Sequence, residues 1–364
     1  MTISRRKVVM AALAAAATVL VMVIQIGASG GTVVAAQAGE FPAFIPMPGV
    51  SPRGVAVDKV GNVYVSVGQV RAGLEYIQIR KFMPAGELLF SVEIGQGTIG
   101  GLAVIADGDI YIAIAVGSAR GVYRMDGEGQ IELLPGSNQI FFANGLAFDD
   151  VGTLYITESF SPFASGQGGI WRIPRGGEAE LCLRDVLFTG TGVLGQPVPI
   201  GANGIAYYHG NLYVTNTERG TVLRIPVWPD GSLGLAEVWT VLLDVPESPL
   251  YGHPHPVCGD GLALDMHGNL YVAVLTRSAV VRLNLLDKSQ ETVAAFRIPD
   301  DLPLNAPLDF PASIVFGTGK GERTNLFVTN LGLGAKLAPL PPPLQWPGPG
   351  LVKIDAGVPG RPLH

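Results

Sequence analysis

A Gly-apolar-Ala-apolar tetrad recurs along the chain: Gly54-Val55-Ala56-Val57, Gly101-Leu102-Ala103-Val104, Gly145-Leu146-Ala147-Phe148, Gly204-Ile205-Ala206-Tyr207 and Gly261-Leu262-Ala263-Leu264. A sixth, degenerate copy is Ser313-Ile314-Val315-Phe316, and successive copies start 47, 44, 59, 57 and 52 residues apart. Each is followed, after a tight turn, by a polar-apolar-aromatic-aliphatic segment, from Asn62-Val63-Tyr64-Val65 to Asn325-Leu326-Phe327-Val328. A third strand-like segment comes next, as in Ile170-Trp171-Arg172-Ile173. Segments this short bury too little alone, so the repeats must stack against one another. Four strands repeated radially make a β-propeller. The expected fold is therefore all-β, a six-bladed propeller with four-stranded blades. Fourth strands are expected near 88–92 and 291–294. The sixth copy runs out of chain, so the mature N-terminal strand, near 41–45, is expected to complete it, close the ring and remove an exposed edge.

Composition agrees with turns and strands, with 49 glycines, 28 prolines and only 15% charged residues. The net charge of −6, with no basic block beyond the N-terminus, excludes a nucleic-acid footprint. At that N-terminus Arg5, Arg6 and Lys7 precede an uncharged run over 8–24, and Ala36-Gln37-Ala38 has the small-x-small pattern of a cleavage site. Residues 1–38 thus read as a signal peptide or, uncleaved, as a membrane anchor. The propeller, 39–364, is expected outside the cytoplasm: secreted, periplasmic or tethered to an outer membrane face. Cys182 and Cys258 are either one disulfide or two free thiols. No Gly-x-Ser-x-Gly elbow, phosphate-cradling loop or His-Glu-x-x-His helix is present.

Connections between first and second strands are short, whereas long ones (66–75, 158–169, 185–202, 244–259, 299–311 and 331–350) should all emerge on one face. Insertions gathered on one face of a repeat protein mark its binding face. The residue before each tetrad stands where an innermost strand begins on that face: Arg53, Gly100, Asn144, Asn203, Asp260 and Ala312. Two amides and a carboxylate on consecutive blades are oxygen donors of the kind a hard cation takes, although Asn-Gly and Asp-Gly are also ordinary turn pairs. Glu158 and Asn216 follow second strands and are expected to reach the same face, Glu158 as a spare carboxylate or general base. His253 and His255, in Tyr251-Gly-His-Pro-His-Pro256, lie shortly before Asp260 and suit a proton relay or substrate contact.

The runs Asn144-Gly-Leu-Ala-Phe-Asp, Asn203-Gly-Ile-Ala and Asp260-Gly-Leu-Ala-Leu-Asp resemble the senescence-marker-protein/gluconolactonase family of six-bladed propellers. The resemblance implies a divalent cation, usually Ca²⁺, held by Asn144, Asn203 and Asp260, with hydrolysis of small lactones or esters. It also makes Asp260 the carboxylate nearest the reacting centre. The family's glutamate falls at or beside Arg53, where no carboxylate stands. A guanidinium about 6 Å from a dication is repelled by about 5 kcal/mol at an effective dielectric of about 20. Arg53 then either orients an anionic substrate group or pairs with Asp260. The first repeat is equally similar to NHL repeats, which implies the alternative of a non-catalytic propeller binding a protein, peptide or glycan. Glu158 reaching the ring would mark the hydrolase; an Arg53–Asp260 ion pair would mark the binder.

Overall fold

A computed structural model describes residues 44–363, apart from 197, 253, 298–304 and 339–344. Six four-stranded antiparallel sheets make up the fold. Blade 1 comprises Ser51–Val57, Val63–Arg71, Leu74–Phe82 and Leu88–Gln96, hydrogen-bonded in chain order from the axis outward. The innermost strands of blades 2 to 6 are Thr98–Val104, Ala143–Phe148, Ala202–Tyr208, Gly259–Leu264 and Pro311–Phe316. The outermost strand of blade 6 is Ile45–Pro46, paired antiparallel with Gly350 and Leu351. Of the segment expected there, residues 41–43 lie outside the described residues, as does the whole leader, 1–38.

The repeated residues each have a task. The second-strand aromatics Tyr64, Tyr155, Tyr271 and Phe327 are buried between neighbouring blades, where they carry much of the apolar contact area. The tight first turns are fastened by an aspartate. Asp58 Oδ1 accepts from the N–H of Val60 (3.1 Å) and Asn62 (2.9 Å), and Asp265 repeats this with His267 and Asn269. One expected loop is not a loop. Residues 66–75 mostly continue the second and third strands of blade 1, which meet in a turn at Ala72 and Gly73, both with positive φ. Both cysteines are free, Cys258 buried and Cys182 partly so on an outer strand.

The tetrad glycine is dictated by how closely the innermost strands converge. A Cβ on Gly145 would lie 2.4 Å from the carbonyl oxygen of Asn203, and one on Gly204 would lie 2.2 Å from that of Asp260. No side chain fits there.

Candidate active site in the central channel

Every innermost strand breaks register with its neighbour at the predicted ring position. The shifts fall between Pro52 and Val55, Ile99 and Leu102, Ala143 and Leu146, Ala202 and Ile205, Gly259 and Leu262, and Pro311 and Ile314. A bulge re-aims the side chain it carries. Here Arg53, Asn144, Asn203 and Asp260 all line one central cavity of about 420 Å³.

Second-strand hydroxyls fix this ring. Thr157 Oγ1 donates to the carbonyl of Asn203 (2.6 Å), Thr215 Oγ1 to that of Asp260 (2.7 Å), and Thr329 Oγ1 to that of Arg53. Each latch ties one blade to the next through a ring residue's backbone. A second tier orients the amides. Ser159 Oγ gives its hydrogen to the Ala202 carbonyl (2.6 Å), so it can only accept from Asn144 Nδ2 (3.0 Å). Thr217 Oγ1 likewise donates to the Gly259 carbonyl (3.0 Å) and accepts from Asn203 Nδ2 (2.9 Å). One N–H of each amide is thereby committed, which fixes the amide's orientation and leaves each Oδ1 free for the cavity.

Asp260 has no cation within 4 Å, so among the described residues the Arg53–Asp260 ion pair is not formed. Burial pushes its pKa up to about 7, against the opposing pull of the Arg53 guanidinium and of a hydrogen bond from Asn203. A further carboxyl lies behind Arg53. Glu75 is 3% exposed, and both its oxygens are buried without a hydrogen-bond partner, as are Arg53 Nε and Thr98 Oγ1. Burial raises the Glu75 pKa, opposed by the Arg53 guanidinium and by the Thr98 hydroxyl, which stands beside the carboxyl without a well-aligned hydrogen bond. Gly68 makes room for it, since a Cβ there would lie 1.9 Å from Glu75 Oε1. Sequence reasoning missed Glu75, but a signal was present. Glu75, Ile77 and Ile79 share the buried face of one strand, which places a carboxyl in a core register.

Three predicted residues do not join the ring. Glu158 is fully buried with both oxygens engaged: Oε1 accepts from the Phe141 N–H (2.9 Å), and Oε2 from Trp171 Nε1 (2.9 Å) and Arg184 (2.7 Å). It is a structural anchor and does not line the cavity. Asn216 is also fully buried, and its Nδ2 donates to the carbonyls of Leu187 (2.8 Å) and Thr189 (3.2 Å). It fastens a loop and touches no cavity space. His255 is exposed and lies off the cavity lining, while its carbonyl accepts from Arg277 (3.1 Å). His253 lies outside the described residues.

The ring does not fit a calcium ion. Calcium takes six to eight oxygens and is tuned by carboxylate number. Here one carboxylate and two neutral amides face a cavity that also holds a guanidinium. Among the described residues no group of three or more acidic, histidine or cysteine side chains is arranged to hold a metal.

No protein-family model matches the chain, and no curated protein sequence does. Solved structures do match. A luciferin-regenerating enzyme superposes with a TM-score of 0.58 at 15% identity, over 86% of this chain and 94% of that one. A calcium-binding protein, regucalcin, from Agrobacterium tumefaciens gives 0.55 at 17% identity, over 89% and 97%. This chain shares the fold of the regucalcin-like and gluconolactonase-like propellers. A putative gluconolactonase gives 0.52 at 15% identity, over 87% of this chain and 95% of that one. At these identities the likeness is one of architecture, and function must be argued from the ring.

Proposed function

We propose that the channel mouth hydrolyses small lactones or esters. The observation that carries this reading is geometric: an unpaired carboxyl, two amides of fixed orientation and a guanidinium line one central cavity. Asp260 acts as general base. It takes a proton from a water molecule whose oxygen bonds to the substrate carbonyl carbon, and the Oδ1 atoms of Asn144 and Asn203 hold that water's second hydrogen. Negative charge developing on the carbonyl oxygen faces Arg53, a permanent cation in a low-dielectric site. When the C–O bond breaks, protonated Asp260 returns its proton to the leaving alkoxide. A base with a pKa of about 7 suits both transfers. No step is assigned to a metal, because the donor set does not suit one.

Acid release from lactones and chromogenic esters by the purified protein tests the reading. Wild-type turnover should fall on the acid side with an apparent pKa near 7, and Asp260→Asn should abolish it. Turnover that survives in Asp260→Asn would refute the assignment. If no lactone or ester is turned over, the reading that remains to be tested is a loop-rich face that binds a protein, peptide or glycan. The N-terminal segment supports a proposal of export. Fractionating cells that express the full chain tests it, with cytoplasmic recovery of uncleaved protein as the refuting result.

A further inference from the structure

We propose that the substrates carry an apolar alkyl or aryl body and that polyhydroxylated sugar lactones are excluded; the proposal rests on the hydrolase reading and names its substrate class. Above the ring, on the long-loop face, the cavity wall is made by Phe142, Leu194, Val198, Leu275, Leu331 and Leu333. The polar side chains that these loops add to the lining are Gln196 and Thr217. Thr217 is already spent, since its hydroxyl donates to Gly259 and accepts from Asn203. Among the described residues that leaves Gln196 and the unpartnered hydroxyl of Thr98 to serve several sugar hydroxyls. Each hydroxyl buried without a partner loses affinity, whereas an apolar body gains from every methylene it hides.

These walls are held in place, so they cannot easily turn polar groups inward. On one side Glu218 Oε2 accepts from the N–H groups of Thr191 (2.6 Å) and Gly192, and Asn216 grips Leu187 and Thr189. Val198 packs into a buried cluster with Val116 and Phe141, with Phe142 against it. On the other side Asp309 accepts from the N–H groups of Gly334 (2.7 Å) and Gly348 (2.9 Å), next to the segment bearing Leu331 and Leu333. Trp346 lies so close to Gly334 that a Cβ there would be 2.1 Å from its ring. Both walls are built into the fold, and the channel they open into, about 420 Å³ as far as Val104, Phe148 and Leu363 at its other end, is ample for a small amphipathic molecule.

The test compares γ-butyrolactone, γ-octalactone, γ-decalactone and glucono-δ-lactone by acid release. Binding of each to Asp260→Asn is measured by calorimetry. The expected result is a kcat/KM that rises about four-fold per added methylene until the cavity is full, with glucono-δ-lactone the poorest substrate. Leu194→Gln and Leu333→Gln, each checked for an unchanged melting temperature, should cut the preference for decalactone over butyrolactone on the order of ten-fold. If glucono-δ-lactone is hydrolysed best, or if rate ignores chain length, the substrate class is overturned and the hydrolase reading stands. If decalactone binds Asp260→Asn tightly but the wild type does not hydrolyse it, the apolar class stands and the hydrolase reading falls. Neither binding nor turnover of any lactone overturns both.

Discussion

Asp260→Asn should make the protein more stable above neutral pH and leave it little changed in acid. The carboxyl rises from an ordinary value of 3.8 to about 7 in the folded state, chiefly because burial disfavours its charge. Between those two values the folded chain holds a proton that the unfolded chain has released. Stability from this group is therefore fully present below pH 3.8 and is lost as pH climbs through 7. About three pKa units correspond to about 4 kcal/mol in total, of which roughly 3 kcal/mol falls between pH 5 and pH 8.5. Asparagine mimics the protonated acid and does not titrate. The gap in melting temperature between Asp260→Asn and wild type should thus widen from pH 5 to pH 8.5 by about 6 °C, taking about 2 °C per kcal/mol for a domain of this size. Thermal melts followed by circular dichroism at the two pH values, in one ionic strength, make the comparison. A constant gap, or a wild type that is the more stable protein at pH 8.5, would refute the desolvated, unpaired carboxyl on which the chemistry rests. The widening gap is the stability given up to keep a base poised near neutrality.

Glu158→Gln should lower stability by about 3 kcal/mol, since it strips the charge from a fully buried partner of Arg184. Turnover measured well below the melting temperature should persist, and its loss would restore Glu158 to the catalytic set. Gly204→Ala should destabilise by about 1–3 kcal/mol or more through its clash with the Asp260 carbonyl, whereas Gly127→Ala, which meets nothing within 4 Å, should be close to neutral. Equal effects of the two in denaturant melts would contradict the convergence of the strands. Calorimetric titration of Ca²⁺ into chelator-stripped protein should give no binding up to millimolar concentration. Micromolar binding lost in Asp260→Ala would show that the ring does hold the cation despite Arg53.

Much of this molecule is legible in its residues, and the parts that are not fail for two reasons, strand parity and aperiodic loop contacts. The tetrads, their spacing and the ring of residues before them follow from a backbone that must converge on an axis, where only glycine fits beside a neighbour's carbonyl. Glu158 and Asn216 were placed by proximity along the chain, but a strand is read by parity. Thr157 and Ser159 both bond to the next blade at its ring, so Glu158 between them must face the other way. Thr215 and Thr217 dispose of Asn216 in the same manner. The same rule, applied to Glu75, Ile77 and Ile79, would have found the buried carboxyl behind Arg53. How the long loops fold over the mouth was not legible, because their positions depend on single contacts such as those of Asp309 and Glu218, which leave no periodic trace.

The latches also explain how an arginine comes to stand in this ring at all. Thr157, Thr215 and Thr329 bind the main-chain oxygens of Asn203, Asp260 and Arg53, and none of them touches a ring side chain. The bulge and its glycine likewise constrain only backbone. The latches and bulges therefore bring six positions to the axis without prescribing most of their side chains; Gly100 is the exception, since a Cβ there would lie 2.8 Å from the Ala143 carbonyl oxygen. An arginine at one of them leaves the backbone latch in place, although its Nε is buried without a hydrogen-bond partner. It gives the ring its own fixed cation beside the oxygen donors. The ring side chains, with the apolar walls above them, then decide what the protein binds. A likeness of fold at 15–17% identity can locate the site but cannot fill it.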